Sequence, residues 1–134
     1  MTRKVPDGLH LIERELTGAI IGAFYECYNL LEFGYLESVY RRAMVVELQA
    51  RGHQCAREGV IEVLYKGVPV GNYRYDLLVD GRVLVEVKSG EALAATAKRQ
   101  LLSYLRGTGL EVGLLLHFGL QPRILRCVHQ SFID

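Results

Sequence analysis

Cysteine is scarce in this sequence, and what there is does not pair. Cys27, Cys55 and Cys127 are odd in number, widely spaced and without a CxxC pair. That leaves no disulfide framework and no cysteine-type metal site, and reads instead as small core residues. Charge of either sign is also short: the net balance is +1 over 134 residues. A general polyanion binder is thereby excluded, so any contact with nucleic acid has to come from a local cluster. Long hydrophobic runs are missing too. The longest, such as Val112 to Phe118, fall far short of a membrane span and contain Gly113 and His117, so no membrane partner is expected. Met1 to His10 leads into an acidic, periodic segment and lacks the apolar core of a signal peptide, which makes a cytoplasmic location the expectation. Glycine-rich phosphate loops are absent, and the serines lack a nucleophile-elbow context. His10, His53, His117 and His129 are scattered, with no carboxylate or cysteine at ligand spacing, and read as solvated or core histidines.

What is there is a half-hydrophobic chain, 50% by composition, with no glycine- or serine-rich run and no repeat. It fits one compact domain over residues 1–134 with a full core. After Pro6-Asp7-Gly8, the residues Ile12, Leu16, Ala19, Ala23, Cys27 and Leu30 recur at helical spacing and predict a helix over 10–32, with Ile20, Phe24 and Leu31 widening its stripe. That width calls for packing on both a sheet and a second helix. Gly34 stands where a left-handed stop is wanted. A second helix over 36–51 presents Leu36, Val39, Tyr40, Ala43 and Val46, and Gly52 ends it. Val60 to Tyr65 and Val68 to Tyr73 alternate as strands about a Lys66-Gly67 turn. A third helix over 92–106 has Leu93, Ala97, Leu101, Tyr104 and Leu105 inside, with Gly107 and Gly109 as its stop. Glu111 to Phe118 reads as a strand covered on both faces, and Arg123 to Val128 as a last strand after Pro122. This order gives an α/β fold with a mixed central sheet flanked by helices, the third helix forming a parallel crossover.

The stretch from Tyr75 to Lys88 stands out. Val79, Val83, Val85 and Val87 alternate as the buried face of a hairpin, and Asp80-Gly81 supplies its turn. Glu86 and Lys88, two apart, leave the strand on one face, roughly 6.6 Å apart. A two-residue turn would bury Asp76 in the apolar layer at a cost of several kcal/mol. A three-residue loop of Val79 to Gly81 sets Leu78 opposite Arg82 and Asp76 opposite Leu84, and places Asp76 on the face of Glu86 and Lys88. We expect that second register. Two carboxylates on adjacent strands with a lysine one step beyond suit an oxygen-seeking divalent cation beside a phosphodiester. Asp76 and Glu86 would then be the ligands of Mg2+ or Mn2+, and Lys88 would orient water or stabilise the pentacovalent phosphorus; on spacing alone, ordinary cross-strand surface pairing explains the triplet better. Glu37, in the first turn of its helix with Arg41 four residues on, reads by itself as a dipole-favoured, ion-paired carboxylate. Lys98, Arg99 and Arg106, with Arg41 and Arg42, offer either a modest basic rim for a nucleic-acid backbone or a solvated helix face.

Four motifs in order, Gly34-Tyr35-Leu36-Glu37-Ser38-Val39-Tyr40, Asp76-Leu77-Leu78-Val79, Glu86-Val87-Lys88 and Gln100-Leu101-Leu102-Ser103-Tyr104-Leu105, make the chain resemble the GxxExxY protein family, a branch of the PD-(D/E)XK nuclease superfamily. The resemblance runs from about Leu16 to Val128. It implies a restriction-endonuclease-like core and a metal-dependent nuclease acting on DNA or RNA. It also implies a metal site at Asp76, Glu86 and Lys88, with Glu37 contributed from the helix and Gln100 flanking. The chain departs from the pattern at Tyr28 and Ala97, where many members carry histidine. Those departures, the near-neutral charge and the small size keep open a catalytically inactive module that binds nucleic acid or a protein partner. A homodimer is compatible with either reading.

Overall fold

The computed structural model describes residues 13–129. Helix α1 (Arg14–Leu31) and helix α2 (Glu37–Ala50) precede strands β1 (Cys55–Arg57), β2 (Val60–Tyr65), β3 (Val68–Arg74), β4 (Leu77–Val79) and β5 (Val83–Ser89). Helix α3 (Ala97–Thr108) and strands β6 (Val112–Phe118) and β7 (Pro122–Val128) complete the order. The start of the first predicted helix, with Ile12, and the preceding Pro6-Asp7-Gly8 and His10, lie outside the described residues. Among the described residues no helix is long and apolar enough to cross a membrane.

Five strands form one sheet in the order β1-β4-β5-β6-β7, with β5 and β6 parallel and the other pairs antiparallel. The α3 crossover produces that single parallel pair, as expected for a β-helix-β connection. The alternation of β5 is the organising fact. Leu77, Val79, Val83, Val85 and Val87 join Leu114, Leu116 and Phe118 in a cluster beneath α1 and α2. Leu84 and Leu115 face the other way, into a second cluster with Leu101, Leu105 and Cys127 under α3. The result is a mixed sheet between helical layers, the restriction-endonuclease-like arrangement.

Several expectations shift. The hairpin loop is Asp80-Gly81-Arg82, because Val79 pairs with Val83 and Leu78 with Leu84. Asp80 and Gly81 both adopt positive φ, 52° and 67°, and the Arg82 amide donates to the Val79 carbonyl at 3.0 Å. The loop has the expected three residues but lies one residue further along the chain, with a mirror-type turn at Asp80-Gly81 and Arg82 as the extra residue. Asp76 therefore lies opposite Glu86, two residues from the expected partner Leu84, although the shared face was correctly assigned. Asp80 is fixed by a partner that spacing did not show: His53 Nδ1 lies 2.7 Å from its Oδ2, and the Gln54 amide donates to Oδ1 at 2.8 Å. These contacts hold the Asp80 carboxyl below its ordinary range, the His53 hydrogen bond contributing most.

On α2 the buried residues are Tyr40, Met44 and Leu48, whereas Leu36 and Val46 are exposed. Leu30 is likewise exposed on α1. The first helix stops at Glu32, at φ 60°, before Gly34 is reached. In α3, Gly107 is helical and Gly109, at φ 75°, is the stop. Strands β2 and β3 do not join the main sheet. They make a separate two-stranded ribbon whose Ile61 packs under α3, with a register shift after Val63.

Candidate active site

Continuing the β4–β5 ladder one step sets Asp76 beside Glu86, and the two side chains are interlocked with backbone. The Asp76 amide donates to Glu86 Oε1 at 3.0 Å, and the Val87 amide donates to Asp76 Oδ2 at 2.8 Å. Each carboxylate therefore has one oxygen committed to the strands that carry it. Glu86 is 4% exposed, in contrast to the usual fate of a glutamate at a sheet surface. Burial, and then the like charge of Asp76, push its carboxyl up to about 8, while the Asp76 amide, Lys88 and Arg41 pull the other way. An acid pair held this way is poised for a positive partner.

Arg41 supplies part of that charge. Its Nη1 lies 3.4 Å from Asp76 Oδ1 and 3.9 Å from Glu37 Oε2. The i,i+4 spacing reveals the contact with Glu37; no local signal reveals the one with Asp76, since the two residues meet only after the chain folds. Arg41, Arg42, Arg57 and Asp76 line one cavity of about 160 Å3. Glu37, Lys88, Ala97 and Gln100 line a second of about 260 Å3. Lys88 Nζ reaches Gln100 Oε1 at 3.5 Å, a long contact between exposed groups. Four of the five residues singled out in the sequence thus line one or other cavity, and the fifth, Glu86, is buried and bonded to the Asp76 amide.

Four further residues bear on the site or on the family pattern. Tyr104 of α3 is buried, and its phenol is pushed up by that burial and then by the charges of Glu86 and Asp76. His117 pairs with Lys88 across the parallel β5–β6 ladder and is 2% exposed, its Nε2 lying 2.8 Å from the Gly90 carbonyl. It is a core histidine, as expected. Tyr28 donates its hydroxyl to the Gly119 carbonyl at 2.6 Å and stacks along Phe118, so it fastens α1 to the end of β6. Ala97 is buried at the base of the second cavity.

Among the described residues no three His, Cys, Asp or Glu side chains converge as a metal cage. A hard cation needs less than that: one or two carboxylates suffice when waters and substrate phosphate oxygens complete its shell. The oxygen-only pair of Asp76 and Glu86, destabilised by its own like charge, fits that donor set and would not fit zinc, which favours nitrogen and sulfur.

No curated protein and no solved structure matches the chain. A family model does: that of the PD-(D/E)XK nuclease superfamily, over residues 14–127. Because that match runs from the start of α1 into β7 and takes in both strands of the acidic pair, the chain belongs to the PD-(D/E)XK nuclease superfamily.

Proposed function

We propose that the chain is a cytoplasmic, single-domain, magnesium- or manganese-dependent nuclease of the GxxExxY branch, hydrolysing phosphodiester bonds of DNA or RNA. The observation that carries this reading is the buried Glu86 held against Asp76, an acid pair whose doubly ionised form is disfavoured until a cation offsets it. When bound, the metal lowers the pKa of a coordinated water and neutralises charge developing at phosphorus. Asp76 and Glu86 would supply oxygen ligands, and Glu37, in the first turn of α2 on the cavity of Lys88, would reach the metal through a water. Lys88 leaves β5 on the same face as Glu86, and its ammonium would orient the attacking water or stabilise the pentacovalent phosphorus. Gln100 positions Lys88 by accepting from its Nζ.

One observation favours a second reading, a nuclease fold that binds nucleic acid or a protein without cutting. The Arg41 guanidinium already offsets the Asp76 charge. The deciding experiment is cleavage of mixed DNA and RNA substrates with magnesium, with chelator, and with Lys88→Ala. Cleavage abolished by chelator and by the substitution supports the enzyme. No cleavage with magnesium or manganese leaves the binding module.

A further inference from the structure

Three cavities join end to end along the exposed side of α3. The one holding Glu37 and Lys88 shares Thr96 and Gln100 with a second of about 250 Å3. That second cavity shares Tyr73 and Ser103 with a third of about 540 Å3, which runs between α3 and the β2–β3 ribbon as far as Arg106. The walls differ in chemistry. On the ribbon side Tyr73 is 51% exposed, with its ring 5.7 Å from that of Tyr104, so the ring is backed on one side and open on the other. On the helix side stand Arg99 and Arg106, seven residues and about 10.5 Å apart along the axis. Both are exposed, and among the described residues neither has a carboxylate partner. Lys98, by contrast, lines none of the three cavities. Glu62 is the acidic residue of the far cavity.

An exposed aromatic face between unpaired guanidinium groups is how proteins hold unpaired nucleotides: bases stack on the ring whatever their identity, while the cations track the phosphates. A duplex hides its base faces and has no use for the ring. The geometry points to a groove for a single-stranded stretch of nucleic acid, with phosphates on Arg99 and Arg106 and a base on Tyr73, leading to the Asp76–Glu86 pair. The substrate is then a single strand, or a duplex with a single-stranded tail. The destination of this path rests on the proposed nuclease reading; the binding does not.

The test is fluorescence anisotropy of the full chain in chelator, so that no cleavage competes, with single-stranded DNA, single-stranded RNA and a duplex of one sequence. Tyr73→Ala is expected to weaken single-strand binding about 5- to 150-fold and to leave duplex binding unchanged, with Tyr73→Phe restoring affinity. Replacing Arg99 and Arg106 together by alanine is expected to flatten the dependence of log affinity on log salt by about 1.4, two phosphates' worth. Circular dichroism of each variant checks folding, and Tyr73→Phe provides a stacking control that keeps the ring against Tyr104. A parent that fails to bind either single strand, or a folded Tyr73→Ala protein that binds as the parent does, overturns the groove. Either result leaves the cleavage assay untouched, and a protein that binds as described yet never cuts refutes only the nuclease. Comparison of the DNA and RNA arms shows which single strand the groove takes.

Discussion

Asp76 and Glu86 hold each other through the backbone: the amide of the first donates to the side chain of the second at 3.0 Å, while their two charges repel. Attraction and repulsion at one contact can be separated by substitution. Asp76→Asn keeps an acceptor for the Val87 amide but removes the negative charge, so the metal-free fold should be unchanged or slightly more stable. Calorimetry should find magnesium binding weakened at least tenfold. A loss of several kcal/mol in urea unfolding would make Asp76 a structural partner instead.

Acidity gives a second prediction. The Glu86 carboxyl titrates at about 8 in the folded chain and at its ordinary 4.5 when unfolded. Between those values folding takes up a proton, so the stability that Glu86 contributes is full below 4.5 and is lost as pH rises to about 8. Urea midpoints should fall over that window, and Glu86→Gln should flatten the fall. A parent midpoint that rises steadily across the window would contradict the burial of Glu86.

Glu37 separates two roles in one mutant. As a helix-start carboxylate alone, it should cost on the order of 0.3–1 kcal/mol when changed to glutamine, with cleavage unchanged. As a site residue beside Lys88, the same change should reduce metal-dependent cleavage roughly 10²-fold, with little change in stability. Thermal unfolding and initial rates measured on one preparation decide the matter, and we expect the second pattern.

Lys88→Ala should reduce cleavage by about 10²–10³-fold, the usual cost of removing one donor from a developing charge, without weakening metal binding. Gln100→Ala should produce a smaller loss through Lys88, with the double substitution no worse than Lys88→Ala alone. An additive double mutant would show that Gln100 acts on its own.

Periodicity revealed the layers and the face shared by Asp76, Glu86 and Lys88, because alternation in β5 is strict and every second residue enters a packed cluster. The register slipped by two because either three-residue loop preserves that parity; the positive φ of Asp80 and Gly81 and the hydrogen bond from Arg82 to Val79 belong to the one observed. Exposed Leu30, Leu36 and Val46 misled the helical stripes, since the partners available to α1 and α2 are set by the sheet rather than by the helix. The motif order singled out Glu37 and Gln100, which the fold sets in one cavity with Lys88. Arg41's contact with Asp76, the His53–Asp80 pair and the detached ribbon depend on tertiary contacts that no local spacing encodes.

The ribbon leaves and re-enters the main sheet at nearly one point. The Glu58 amide donates to the Asp76 carbonyl at 3.1 Å, the Tyr75 amide to the Gly59 carbonyl at 3.0 Å, and the Tyr75 ring covers Gly59 so closely that any β-carbon there would collide with it. Everything from Val60 to Arg74 is therefore an excursion through a single doorway, and its length is uncoupled from the ladder on either side. Descent can lengthen, shorten or recolour it at little entropic cost, roughly 0.6 kcal/mol per doubling of a flexible loop. The same doorway ends on Asp76, so a change in what the ribbon touches is delivered one peptide bond from the acidic pair.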